Sequence, residues 1–146
     1  MLRFKMPARP HLSVYLILER EGRILLGLRH NTGYMDGYWA LPAGHAEDGE
    51  RARQSMIREA KEEIGIDINE DDLEVVHIMH RNSNRENLDI FMRLPKYEGE
   101  IENMEPEKCK ELRFFPRDSL PENIVEYAKY AIELSEKEEI YSEYDW

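Results

Sequence analysis

Short runs of apolar residues recur along the chain, and most of them are too short to form a helix. Such runs, bounded by glycine, proline or polar clusters, are typical of β-strands. They predict strands at residues 11–18, 23–28, 39–41, 73–80, 88–94 and 111–115. Glu21 and Gly22 separate the first two strands and indicate a hairpin turn.

Two longer segments repeat their apolar residues at helical spacing. Met56 and Ala60 lie on one arc of the first segment, 49–64, and Gly65 is suited to end a helix there. The second helix is predicted at 122–136. Two helices and about six strands together predict an α/β fold, in which a mixed β-sheet is covered on both faces.

The segments between these elements are polar. We interpret 29–38 as a loop long enough to have a function, 81–87 as a turn, and 95–110 as an acidic loop. The end of the chain, 141–146, carries three aromatic residues. We expect them to dock on the body of the protein or on a second subunit, as in a homodimer. Without a linker or internal repeat, residues 1–146 are expected to form a single domain.

The charge of the chain limits its partners. Its 20 basic and 31 acidic residues give a net charge of −11, which would repel the backbone of a long nucleic acid. This charge does not exclude a small phosphate ester that arrives with its own metal ion. No apolar segment approaches the length of a membrane span. Cys109 is the only cysteine, so no internal disulfide can form, and we expect a cytoplasmic location.

Acidic residues cluster on the first predicted helix. Glu59, Glu62 and Glu63 have the spacings i, i+3 and i+4, which place their side chains on one face. Like charges arranged in this way repel each other. A solvated charged face is the ordinary interpretation of such a pattern. A divalent cation that prefers oxygen ligands would reverse the unfavourable repulsion.

A defined motif surrounds these glutamates, and it reads Gly, five residues, Glu, seven residues, then Arg-Glu-apolar-x-Glu-Glu-x-Gly-apolar. The nine matching positions are Gly44, Glu50, Arg58, Glu59, Ala60, Glu62, Glu63, Gly65 and Ile66. The motif resembles the signature of the Nudix hydrolases, although Ala60 is smaller than the apolar residue often found there. The resemblance implies a Nudix-type α/β/α sandwich, with a mixed β-sheet between helices.

The resemblance also implies a metal site. Glu59, Glu62, Glu63 and the backbone carbonyl of Ala43 would hold Mg²⁺, for which Mn²⁺ is a possible substitute. The catalytic residues would be these three glutamates and Arg58. Both Glu59 and Glu63 are candidates for the general base.

Neighbouring residues of the motif are expected to support this site. Gly44 should allow a tight turn close to the metal. Glu50, placed in the first turn of the helix, should pair with Arg58. Glu47 is either a supporting acid or a solvated side chain.

Candidates for substrate binding lie outside the motif. Arg29 and Lys108 could contact phosphates. Asp118 and Asn123 could read the edge of a base, or could simply favour the turn and helix start where they lie. Many relatives have a further acidic metal ligand near position 108, and the sequence leaves open which residue could replace it. The alternatives are Glu105, Glu107 and Lys108.

Together these features predict hydrolysis of a phosphoanhydride bond in a nucleoside triphosphate or a related nucleoside diphosphate derivative, with a nucleoside monophosphate as one product. The alternatives are a nucleotide-sugar or dinucleoside polyphosphate hydrolase, and a non-catalytic nucleotide-binding module.

Overall fold

The computed structural model describes residues 5–146. Within this range the chain forms eight strands, two α-helices and a short 3-10 helix (Glu70–Asp72). The strands and α-helices are, in order, β1 (His11–Arg20), β2 (Arg23–Arg29), β3 (Trp39–Ala40), β4 (Ala43–His45), α1 (Ala52–Ile64), β5 (Glu74–Asn82), β6 (Glu86–Leu94), β7 (Cys109–Pro116), α2 (Glu126–Glu136) and β8 (Tyr141–Tyr144).

The strands form one mixed sheet in the order β3-β2-β1-β6-β5-β8, with β4 also beside β1 and β7 beside β2. β1 pairs with β6 in parallel, as β5 does with β8. The other named pairs are antiparallel.

The two helices cover opposite faces of the sheet, because side chains alternate between its faces along each strand. Val14, Leu16 and Leu18 of β1 pack with buried residues of α1 in one cluster. Tyr15 and Ile17 face the other way and pack with buried residues of α2. The predicted α/β/α sandwich with a mixed sheet is therefore confirmed. None of the helices within residues 5–146 is long or apolar enough to cross a membrane.

Both helices begin later than predicted. α1 starts at Ala52 because Gly49 has a left-handed φ of 80° and Arg51 is extended. It ends as predicted at Gly65, whose N–H donates to two carbonyls of the last turn. α2 starts at Glu126 because the preceding residue, Val125, has a non-helical ψ of 120° and donates its N–H to the Trp39 carbonyl oxygen.

The largest departure from the sequence prediction concerns residues 81–87, which are mostly strand and not turn. β5 and β6 extend to Asn82 and Glu86, leaving a short connection between them. β4 and β8 are strands that the sequence pattern does not predict.

The aromatic C-terminal segment docks on the body of the protein, as expected. β8 pairs in parallel with β5. Beyond β8, the indole N–H of Trp146 donates to the His80 carbonyl oxygen at 2.8 Å. The centres of the Trp146 and His80 rings lie 4.6 Å apart. The end of the chain is therefore held against β5.

Candidate active site

A cleft of about 810 Å³ opens beside α1, where β1, β2, β4 and the β5–β6 turn meet. Several residues that the sequence singled out line this cleft. They are Arg29, Ala43, Gly44, Glu59, Glu62, Glu63, Glu105 and Lys108. The acidic face of α1 thus borders a cavity large enough for a nucleotide-sized molecule.

Glu63 is the most enclosed carboxylate of the cleft. Its Oε2 accepts a hydrogen bond from the Ala43 N–H at 3.0 Å, which joins α1 to β4. Burial raises the pKa of Glu63 well above its usual value, and the negative charges of Glu59 and Glu105 raise it further. A proton or a cation would therefore stabilise this side chain.

Glu59 lies against the backbone of β4. A Cβ atom on Gly44 would overlap the carboxyl group of Glu59, so only glycine permits this approach. Gly44 has no left-handed φ, and the tight turn expected there is absent. Its lack of a side chain, rather than its flexibility, is what the site uses. Burial raises the pKa of Glu59 despite a hydrogen bond from Arg58 at 2.9 Å.

Arg58 connects the acidic residues of the motif. Its guanidinium donates to both oxygens of Glu50, at 2.8 and 3.0 Å, and to Glu62 at 3.2 Å. It also donates to the His45 carbonyl at 3.0 Å. These contacts, with the bond to Glu59, fix the guanidinium relative to both α1 and β4.

Glu50 precedes the helix and does not lie in its first turn, because α1 begins at Ala52. Hydrogen bonds from Arg58 and from the Glu47 N–H lower the pKa of Glu50 to about 2. The Glu47 carboxylate is exposed and lies 3.8 Å from Arg58. Glu50, Glu47 and Arg58 do not line the cleft.

The donor set suits a hard divalent cation. Glu59 and Glu63 place like-charged carboxylates together in a partly buried site, where a cation with oxygen ligands would offset their repulsion. Glu62 is more exposed and bonds to Arg58. Among residues 5–146, no three acidic, histidine or cysteine side chains are already gathered as a metal site. As a ligand beside the other two, Glu62 would exchange its hydrogen bond from Arg58 for the cation.

Basic residues flank the acidic cluster. The Arg29 side chain donates to the Tyr34 carbonyl at 2.7 Å and to Thr32 Oγ1 at 3.1 Å, so the 30–38 loop holds it in place. Lys108 is exposed at the rim. Glu105 also lines the cleft, whereas Glu107 does not, which leaves Glu105 as the loop carboxylate positioned near the glutamates of α1.

The remaining predicted substrate contacts lie elsewhere. Neither Asp118 nor Asn123 lines the cleft. Asp118 is exposed in a turn after β7. The Asn123 side chain donates to the Gly37 carbonyl at 2.9 Å and so ties the loop after β2 to the start of α2. Base reading by these two residues stays a prediction.

The sequence interpretation missed a buried polar group beside the cleft, formed by Tyr15, Arg81, Asp89 and Tyr127. Arg81 Nε donates to Asp89 Oδ2 at 2.6 Å, and both side chains are more than nine-tenths buried. The sequence does contain one signal of this group. Asp89 lies in the middle of β6, among apolar residues, and a buried charge needs a partner.

Comparison with known proteins identifies the family. The family model for the NUDIX domain matches residues 7–134. The chain belongs to the Nudix family. Its fold resembles that of a MutT NUDIX hydrolase from Burkholderia pseudomallei, with a TM-score of 0.79, 24% identity, and coverage of 86% of this chain and 98% of that one.

Curated Nudix relatives match over a shorter stretch. An 8-oxo-dGTP diphosphatase of Proteus vulgaris is 34% identical over 58 residues, which are 40% of this chain and 52% of the relative. A CTP pyrophosphohydrolase of Escherichia coli is 41% identical over 54 residues, which are 37% of this chain and 40% of the relative. The match therefore spans about half or less of each relative's length.

Proposed function

We propose that this Nudix protein is a Mg²⁺-dependent pyrophosphohydrolase. It acts on a nucleoside triphosphate or a related nucleoside diphosphate derivative and releases a nucleoside monophosphate. The names of the relatives, an 8-oxo-dGTP diphosphatase and a CTP pyrophosphohydrolase, support the reaction class.

The observation that carries the proposal is the acidic face of α1 at the cleft. Glu59 and Glu63 are held against β4, with Glu62 beside them, and Arg29 and Lys108 line the same cavity. Carboxylates suit a cation, and nearby basic side chains suit phosphate oxygens. A diphosphate could thus contact both groups at once.

The chain's own residues have distinct roles in this proposal. Glu59, Glu62, Glu63 and the Ala43 carbonyl would hold the metal, which supplies charge neutralisation and a more acidic bound water. Arg58 positions Glu59, and Glu50 positions Arg58. Arg29 and Lys108 bind phosphate oxygens. Either Glu59 or Glu63 accepts the proton from the attacking water.

The test is hydrolysis of a panel of nucleoside triphosphates, nucleoside diphosphate sugars and dinucleoside polyphosphates, with Mg²⁺ and with a chelator. We expect turnover of at least one class with Mg²⁺ or Mn²⁺ only. Glu63→Gln should lower kcat by about 100-fold or more. Glu133→Gln, an exposed change on α2, is the matched control and should keep full activity.

Two outcomes would contradict the proposal. Tight nucleotide binding without turnover of any panel member would indicate a non-catalytic binding module. Unchanged kcat in folded Glu63→Gln would remove this carboxylate from the mechanism.

A further inference from the structure

The sheet face that α2 covers changes from apolar to polar along its strands. Ile17, Tyr15 and Ser13 follow one another on this face of β1. On β6, Phe91 is in register with Tyr15, and Asp89 with Ser13. The apolar end belongs to the core beneath α2, whereas Ser13 and Tyr15 reach the cleft. The cleft therefore has a polar wall that is separate from the glutamates of α1.

Arg81 is held rigidly in this wall. Besides its 2.6 Å bond to Asp89, its Nη2 lies 3.5 Å from Asp89 Oδ1 and from the Tyr15 hydroxyl. The guanidinium carbon lies 3.9 Å from the centre of the Tyr127 ring. A carboxylate on one side and an aromatic ring beside it leave the guanidinium little freedom to reorient.

One nitrogen of this guanidinium has no hydrogen-bond partner in the described part of the chain. Arg81 is 6% exposed and lines the cleft, yet its Nη1 makes no hydrogen bond to any residue from 5 to 146. Burying an ion pair carries a desolvation cost that an apolar pair would avoid. A pair placed beside a cleft with a free donor is suited to recognise an acceptor on a ligand.

The base of a nucleotide is a better source of the hydrogen-bond acceptor for Arg81 Nη1 than a phosphate is. Asp89 neutralises the charge of Arg81 within the wall. Arg29 and Lys108, by contrast, line the same cleft and form no ion pair with a carboxylate among residues 5–146. Phosphates are drawn to these unneutralised cations, while the polar wall offers hydrogen bonds of fixed direction.

We propose that Arg81, oriented by Asp89, determines base specificity by donating from Nη1 to a carbonyl oxygen of the base. This inference rests on the proposed function and names its substrate class, nucleotides whose base carries a carbonyl oxygen. Guanine and uracil have such an oxygen, and adenine has none. A site built to donate a hydrogen bond discriminates against a ligand that lacks the acceptor.

The test compares GTP, UTP and ATP as substrates of the full chain, and GMP, UMP and AMP as ligands by calorimetry without metal. The wild type should favour guanine and uracil over adenine by roughly 10- to 100-fold in kcat/KM, as expected for a charge-assisted hydrogen bond. The binding constants of the monophosphates should rank in the same way. In the double variant Arg81→Gln/Asp89→Asn, the preference should fall to about two-fold or less, mainly through KM.

Two further variants keep the test decisive. Arg81→Lys retains a charge for Asp89 but not the planar fork, so it should remain folded and lose the preference. Glu111→Gln/Arg113→Gln removes an ion pair of β7 whose members do not line the cleft, and it should keep the preference.

A wild type without base preference would overturn the inference, as would folded Arg81 variants that keep the wild-type ranking. Either result leaves the proposed function intact if nucleotides are hydrolysed. If no nucleotide is hydrolysed, the proposed function fails, and the monophosphate binding constants still decide the role of Arg81.

Discussion

At the scale of single residues, Gly44 determines how closely α1 can approach β4. We expect Gly44→Ala to displace the Glu59 carboxyl group, because the new Cβ would overlap it. The variant should lose about 1–3 kcal/mol of unfolding free energy, as is usual for overpacking. Its kcat should fall by about 100-fold, which steady-state kinetics and urea unfolding would measure.

A shorter side chain at position 59 provides the control for this prediction. In Gly44→Ala/Glu59→Asp the carboxyl group is withdrawn by one methylene, so stability should recover while activity stays low. Full activity in Gly44→Ala alone would show that the close contact is not needed.

The raised pKa of Glu63 predicts that the free energy of unfolding of the metal-free protein depends on pH. Its folded pKa is raised above the usual 4.5, so its contribution to stability is present below that value and is lost as pH rises through the folded pKa. Glu63→Gln lacks this titration. Relative to wild type in chelator, its free energy of unfolding should therefore increase as pH rises.

Urea unfolding of both proteins at a series of pH values from about pH 4.5 upward would measure this difference, since a raised pKa changes stability above the usual carboxyl value. A difference that is constant with pH would contradict the prediction. Glu133→Gln, whose side chain is exposed, should show no such trend.

At the scale of elements, β8 contacts the polar wall of the cleft through the side chain of Tyr144. The ring of Tyr144 lies 6.4 Å from that of Tyr127, which in turn contacts Arg81. We expect Tyr144→Ala to lower unfolding free energy by about 1–2 kcal/mol and to raise KM about three- to ten-fold. Tyr141→Ala is the matched control, because Tyr141 is half-exposed and its hydroxyl bonds only to Glu143 within the described chain. Equal effects of the two changes on KM would refute the coupling.

The sequence specified α1 and most strands well because their signals are local. Helical spacing alone places Glu59 and Glu63 on one face, and Gly65 ends the helix as its φ requires. β8 could not be predicted in the same way. It is short, lacks clear alternation, and exists because it pairs with β5, which lies far earlier in the chain.

The candidate site also has one part that the sequence identifies and one part that it does not. The motif contains the residues of α1 at fixed spacing, so the sequence alone identifies them. The polar wall depends on strand register between β1, β5 and β6, which brings Tyr15, Arg81 and Asp89 together from distant segments. The sequence pattern places Arg81 in a turn because its neighbours are polar, and its burial cannot be inferred from them.

At the scale of the whole molecule, the net charge of −11 should disfavour long polyanions. We expect an RNA oligonucleotide with a 5′ triphosphate to be hydrolysed at least about ten-fold less efficiently than the free nucleoside triphosphate of the same base. Raising the ionic strength from about 0.05 to 0.2 M should reduce the difference in kcat/KM between the two substrates, because salt screens the repulsion. Comparable kcat/KM values for both substrates at low salt would refute this prediction.

The burial of Glu63 beside Glu59 has a consequence for how tightly the protein could hold the proposed cation. Burial raises the pKa of both carboxyl groups, so each keeps its proton to a higher pH than an ordinary carboxyl group, at the position proposed for the ion. Loading the site then expels that proton, and calorimetric heats should vary with the ionisation enthalpy of the buffer. Acidification would thus release the proposed ion, because protons compete with it for the same carboxylate oxygens.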